Sequence, residues 1–319
     1  MKPPYTITSQ ILKLISDISI KIGEINANYL SKQSPQLRKN NRIKTIHSSL
    51  QIEGNTLSLE QITAIVENKR VIGPKKDVNE VINAIDVYNS LPTYNSHNEK
   101  SFLKAHKTLM NGLTSTAGKY RTTGVGMVKG KQVKHIAPPA SNVAYLMKDL
   151  FNYLKTNQEL TLIKSCVFHY ELEFIHPFTD GNGRMGRLWQ TLILMNEFPV
   201  FEFLPFETLI SKKQKEYYAV LSKSDKVGNS TSFIEFMLNI INDSLAQLLQ
   251  YKSRIMTGID RIDYYLAIGQ KEFSRKDYMN VFKDISSATA SRDLNKAIKL
   301  KKISQYGDKI PLNIRSRNC

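Results

Sequence analysis

Two runs of helical period, joined through residues 176–187, constrain this chain more than any other feature. Ile163, Cys166, Val167, Tyr170 and Phe174 recur three and four apart, which predicts a buried amphipathic helix that stops before Pro177. Met185, Leu188, Trp189, Leu192 and Met195 repeat that period and predict a second helix. The stretch between them, His176-Pro177-Phe178-Thr179-Asp180-Gly181-Asn182-Gly183-Arg184-Met185-Gly186-Arg187, is therefore a loop that opens a helix.

A helix N-terminus carries unpaired N–H groups and the positive end of the dipole, so the Gly181-Asn182-Gly183 turn suits an anion. Glycines let that backbone approach a phosphate with no side chain in the way. Arg184 and Arg187, three apart, can each grip phosphate oxygens bidentately. Asp180 is a hard oxygen ligand that suits magnesium beside a phosphate. His176 can accept a proton from an attacking hydroxyl. Each residue alone has an ordinary structural reading, a turn or a packed histidine. Together they fix His-x-Phe-x-Asp-Gly-Asn-Gly-Arg-x-x-Arg, a pattern met by chance on the order of once in ten billion start sites. The set points to phosphoryl or nucleotidyl transfer.

That pattern resembles the signature of the Fic family without a departure. The resemblance implies a mostly α fold, a Fic-type helical bundle with a β-hairpin flap, and transfer of AMP from ATP to a Ser, Thr or Tyr hydroxyl of target proteins, including the enzyme itself. It implies His176 as the base, Asp180 as the magnesium ligand, and Gly181, Asn182, Gly183, Arg184 and Arg187 as the ATP cradle. Upstream, Ser49-x-x-x-Glu53-Gly54 matches the family's inhibitory motif. There the glutamate pairs with the second signature arginine, here Arg187, and misplaces the γ-phosphate. A further implication is that Glu53 orients a water that removes AMP from targets. The helix with Tyr217 and Tyr218 resembles the family's Tyr-Tyr segment, in which Tyr218 borders the adenine.

Along the chain, Ile11, Leu14, Ile15, Ile18, Ile22 and Ile25 predict a first helix, followed by a basic connector over 31–44 and a helix over about 42–54. Gly54 is a stop signal, and Ser58-Leu59-Glu60-Gln61 reads as a capping box with Leu57 and Ile62 as its hydrophobic staple. His106 falls in a helix with Phe102 and Leu109, where a structural role is expected. Alternation from Gly118 to Val128, a turn at Lys129-Gly130-Lys131 and a return over 132–136 predict a hairpin, matching the Fic flap that offers a strand edge to a target segment.

Three regions are expected: 1–70 with the inhibitory helix, a core over 71–250, and a small domain over 251–319. The last holds 15 Lys and Arg against 7 Asp and Glu, a net +8 of the chain's +17. Its three helices and a Gly307-Asp308 turn resemble a winged helix-turn-helix, with residues 286–294 opening the recognition helix and DNA or protein as the partner. A DNA-binding regulator with a nucleotide-sensing Fic core, or transfer of a different nucleotide, are the alternatives to AMP transfer. Intact His176 and Asp180 favour an enzyme. Two cysteines, Cys166 and Cys319, build no disulfide framework, so a reducing cytoplasm is expected. No apolar run is long enough to span a bilayer, and the N-terminal residues lack a signal-peptide core. A homo-oligomer remains open.

Overall fold

The computed structural model describes residues 3–28, 35–124, 126–129, 132–156, 158–253, 258–267, 272–282, 285–306 and 313–316. The chain divides into two compact units, Met1–Leu249 and Gln250–Cys319. The first holds α1 (Ser9–Asn28), α2 (Pro35–Ile52), α3 (Leu59–Val66), α4 (Lys75–Asn89), α5 (Glu99–Leu109), β1 (Gly126–Lys129), β2 (Gln132–Ile136), α6 (Ala140–Thr156), α7 (Thr161–Ile175), α8 (Asn182–Glu197), α9 (Glu207–Lys212), α10 (Gln214–Val227) and most of α11 (Thr231–Ser253). The architecture is mostly α, as the periodicity predicts.

The two helices around the signature loop, α7 and α8, form the tightest pair. Gly186 makes that possible, since a Cβ there would come within 2.6 Å of the His169 ring. Phe102 packs edge-on against Trp189, with ring centroids 5.0 Å apart, and stacks on Phe178 at 5.4 Å. Phe178 is fully buried, so the loop is anchored in the core by its own aromatic residue.

Residues 1–70 share this core instead of standing apart from it. Ile11, Ile18, Ile25, Ile46 and Leu50 belong to the same apolar cluster as α7 and α8, because α1 and α2 each have one apolar face to bury. The helix expected from about residue 42 begins at Pro35, within what reads as a connector. Proline at the first helical position loses no hydrogen bond, so it starts this helix where the sequence suggests a break. At α3 the capping box is formed: Ser58 accepts from the Gln61 N–H, and Gln61 returns the bond to the Ser58 N–H. Leu57 and Ile62 are both buried.

The hairpin is shorter than the alternation predicts. Residues 114–124 are turns and bends, and the strands cover only 126–129 and 132–136, paired antiparallel with a bulge between Met127 and Val128. Arg121 explains the delay, since its side chain binds main-chain carbonyls of the signature loop and draws this segment inward. The turn residues Gly130 and Lys131 lie outside the described residues, as do Gly307, Asp308 and Cys319.

The second unit runs α12 (Gly258–Ala267), β3 (Glu272–Ser274), α13 (Arg275–Val281), α14 (Ser287–Lys299), β4 (Ile303–Tyr306) and β5 (Asn313–Ser316), with an antiparallel sheet of order β3-β5-β4. Its own small core gathers Ile262, Tyr265, Phe273, Tyr278, Leu294 and Ile303. Strand β3 went unforeseen, being three residues long with one buried side chain and so showing no readable alternation.

Candidate active site

The α7 helix ends at His176 in the left-handed conformation (φ 49°, ψ 59°), and its N–H still bonds the Leu172 carbonyl at 2.9 Å. A histidine in that region turns the chain sharply and is held there by its neighbours. Arg121, almost wholly buried, donates through Nε to the His176 carbonyl at 2.8 Å, through Nη2 to the Ile175 carbonyl at 3.3 Å, and also to the Pro138 and Thr123 carbonyls. From within the loop, Asn182 accepts from the Phe178 N–H and donates to the Phe178 carbonyl, both at 2.9 Å.

His106 closes the loop from α5. It stacks flat on Phe178, with centroids 3.5 Å apart at 4°. The Gly118 N–H donates to its Nδ1 at 2.8 Å, which leaves Nε2 as the protonated nitrogen, donating to the Asp180 carbonyl at 3.0 Å. Burial lowers the His106 pKa to about 4, so the ring stays neutral and this tautomer persists. Gly181 follows with φ 87°, where a Cβ would lie 2.8 Å from the Met110 sulfur. Glycine is required there on both counts.

The loop opens α8 at the floor of a pocket of about 220 Å³. Its lining joins Glu53, His176, Asp180, Gly181, Asn182, Gly183 and Arg187 with Tyr218, Leu221 and Asp225 of α10. Of the residues the sequence nominates, Glu53, His176, Asp180, Gly181, Asn182, Gly183, Arg187 and Tyr218 converge here. Arg184 does not line the pocket: its guanidinium donates to Glu80 Oε1 at 3.2 Å and to Asp180 Oδ1 at 2.9 Å. Ser49 also stands behind the pocket wall, where its hydroxyl accepts from Arg187 Nε at 3.1 Å.

Arg187 is fully buried. Its Nη2 donates to the Ser49 carbonyl at 2.9 Å and to Glu53 Oε1 at 2.7 Å. Burial opposes its charge, and the Glu53 carboxylate more than restores it, so its pKa is raised. The buried Nη1 has no hydrogen-bond partner among the described residues. It lies near Gly183, where a Cβ would meet Glu53 Oε1, Arg187 Nη1 and Glu173 Oε1 together. A donor left unpaired beside a helix N-terminus is an anion site in waiting.

Several residues of the site carry no sequence signal. Glu173, in the pocket wall, accepts from Tyr217 at 3.3 Å, and Tyr217 in turn bonds His169. Burial opposes ionisation of Glu173, but His169, His176 and Arg187 together hold its pKa below the ordinary value. Glu207 of α9 is buried against Thr191, and burial pushes it up to about 7 even with Arg187 nearby. For the metal, no cluster of three or more candidate ligands exists among the described residues. Asp180 alone fits a magnesium ion carried by phosphates: its side chain is half-exposed, and its second oxygen accepts no bond from the described residues.

Comparison with known proteins agrees with this geometry. The Fic/DOC family model matches residues 96–194. A crystal structure of a Fic family protein from Desulfovibrio desulfuricans is 40% identical, with the match covering 100% of this chain and 99% of that one at a TM-score of 0.77. The chain belongs to the Fic family. It is also 33% identical over 249 residues to the protein adenylyltransferase fic-1 of Caenorhabditis elegans, covering 72% of this chain and 46% of that protein. The chain thus spans less than half the length of that relative. The solved Fic-1 structure from the same worm has a TM-score of 0.63 at 24% identity, which shows the shared fold. No described helix is long and apolar enough to cross a membrane.

Proposed function

We propose that this chain is an autoinhibited protein adenylyltransferase that uses ATP. The observation that carries the reading is the ion pair between Arg187 and Glu53, set inside a pocket that also holds His176 and the Gly181–Gly183 backbone. ATP phosphates lie on the α8 N-terminus, and the nucleoside extends toward Tyr218 and Leu221. Glu53 occupies the partner site of Arg187, so the γ-phosphate is excluded until Glu53 withdraws. Once it does, Arg187 grips that phosphate and the α-phosphorus comes into line. His176 takes the proton from a Ser, Thr or Tyr hydroxyl of the target, whose oxygen attacks the α-phosphorus. The new O–P bond forms as the bond to pyrophosphate breaks. Magnesium, with Asp180 as its protein ligand, would offset the phosphate charge.

The test is to incubate the Glu53→Gly chain with α-labelled and γ-labelled ATP in separate reactions. Label retained only from the α position is the expected result. Label retained only from the γ position would mean phosphorylation, and equal labelling of wild type and variant would remove the inhibition.

A second reading concerns the second unit, which we infer to be a winged helix that contacts DNA. On α14, Arg292, Asn295, Lys296 and Lys299 are exposed, whereas the one carboxylate of that helix, Asp293, is buried in an ion pair with Arg261 at 2.7 Å. A basic helix face without exposed acids suits a phosphate backbone. Retention of the full chain on duplex DNA should fall steeply with salt; no retention at low salt would discard the idea.

A further inference from the structure

The α10 helix has a second surface that AMP transfer as described above leaves unused. Its inner face buries Tyr217, Leu221 and Ser224. The opposite stripe, at spacings of three and four, presents Lys215, Ala219, Ser222, Lys223 and Lys226 to a groove of about 590 Å³. Tyr218, 40% exposed, lines this groove and the active-site pocket alike, so the two are neighbours. Strand β2 of the hairpin packs beside the same helix.

Charge sets the groove apart. Three lysines line it and no carboxylate does. None of the three makes an ion pair with a described residue, so no carboxylate offsets their charge within the groove. A row of unpaired ammonium groups along one groove raises the local concentration of anionic ligands and steers them in. Because β2 packs beside α10 and Tyr218 borders both cavities, a segment held at β2 with its hydroxyl at His176 has this stripe within reach. We propose that the groove docks the target, and that the targets are acidic segments: hydroxyl-bearing stretches with Asp or Glu a few residues to one side of the modified Ser, Thr or Tyr. The proposal rests on the adenylyltransferase reading and names its substrate class.

The test uses the full chain carrying Glu53→Gly and two labelled peptides of equal length with one central serine, flanked by glutamates in one and glutamines in the other. Fluorescence anisotropy at low ionic strength is expected to show about tenfold tighter binding of the glutamate peptide, a ratio that shrinks as salt is added. Joint replacement Lys215→Gln, Lys223→Gln and Lys226→Gln should bring the ratio to about one, and the corresponding Lys→Glu set should invert it. All three positions are exposed, and two independent sets guard against an effect of folding. Equal affinity for both peptides in the parent protein, or a preference that survives in both sets, overturns the proposal. A DNA duplex that displaces the glutamate peptide as well as unlabelled peptide does also overturns it, since the groove would then be a general polyanion surface. AMP transfer, measured on the same samples, separates the two readings. Lysine-dependent binding without transfer keeps the docking groove and removes the enzyme; transfer without a charge preference keeps the enzyme and removes the groove.

Discussion

The two signature arginines sit three residues apart on α8 and are both buried, yet they are held in different ways. Arg184 is fixed by Glu80 from the middle of α4, itself buried and bonded at 2.8 Å by Asn55. Arg187 is held by Ser49 in the last turn of α2 and by Glu53 just past its end, where the Glu53 side chain is 28% exposed and Gly54 follows at φ 91°. The flank with Arg184 is further locked by His106, Arg121 and Asn182 on the loop backbone. A carboxylate in mid-helix can leave only if the core opens; one at a helix end can leave by local fraying. On the proposed reading, the molecule pairs a fixed side, which would shape the phosphate cradle, with a releasable side, which would decide whether the cradle is free.

The contrast breaks most visibly at its two carboxylates. Glu53→Gly should raise AMP incorporation on the order of a hundredfold, as expected for removing a charge-assisted bond that competes with phosphate. It should also lower Tm without ATP, since Arg187 loses its counter-charge, with ATP restoring much of the loss. Glu80→Gln, the matching change on the fixed side, should lower incorporation even in the Glu53→Gly background. Equal gains from both would erase the distinction. On the same fixed side, His106→Phe keeps the stack on Phe178 but strands the Gly118 N–H and the Asp180 carbonyl. About a tenfold loss of kcat/KM for ATP and a Tm lowered by about 5 °C are expected in the Glu53→Gly background. Unchanged kinetics would mean the loop holds itself.

The contiguous parts of this design were legible in the sequence. His176, Asp180, the glycines and Arg187 fall within twelve residues, so their spacing nominates them, and Ser49 and Glu53 fall within five and are nominated by resemblance to the family's inhibitory motif. The supports were not. Arg121 reads as one of many basic residues and acts through main-chain carbonyls, which any residue supplies. The role of His106 depends on Gly118 and Asp180 meeting it from opposite sides in space. The start of α2 was misplaced because proline signals a break and a first helical position equally well. Period and motif report what is local; the supports of the fixed side from Glu80, His106 and Arg121 are contacts 12 to 104 residues apart in the chain.

Smaller effects sharpen the releasable side. Ser49→Ala removes one of three bonds to Arg187 and leaves Glu53 in place, so about a threefold rise in incorporation is expected; no rise would assign the whole hold to the carboxylate. Glu207 lies behind Arg187 with one oxygen buried and unbonded among the described residues. Burial pushes its folded pKa up to about 7, above the ordinary glutamate value of about 4.5, so the folded state binds this proton more tightly than the unfolded one. The carboxyl therefore costs stability as pH rises from about 4.5 to 7, and the full penalty applies above that range. Glu207→Gln should leave Tm unchanged at pH 4, raise stability by about 2 kcal/mol at pH 8, and alter AMP incorporation less than about twofold. A stability loss independent of pH would mean that Glu207 is ionised throughout and belongs with Glu53 as a counter-charge of Arg187. A gain that appears only on the alkaline side would leave Glu53 as the carboxylate that holds Arg187, with Glu207 a neutral spacer below pH 7.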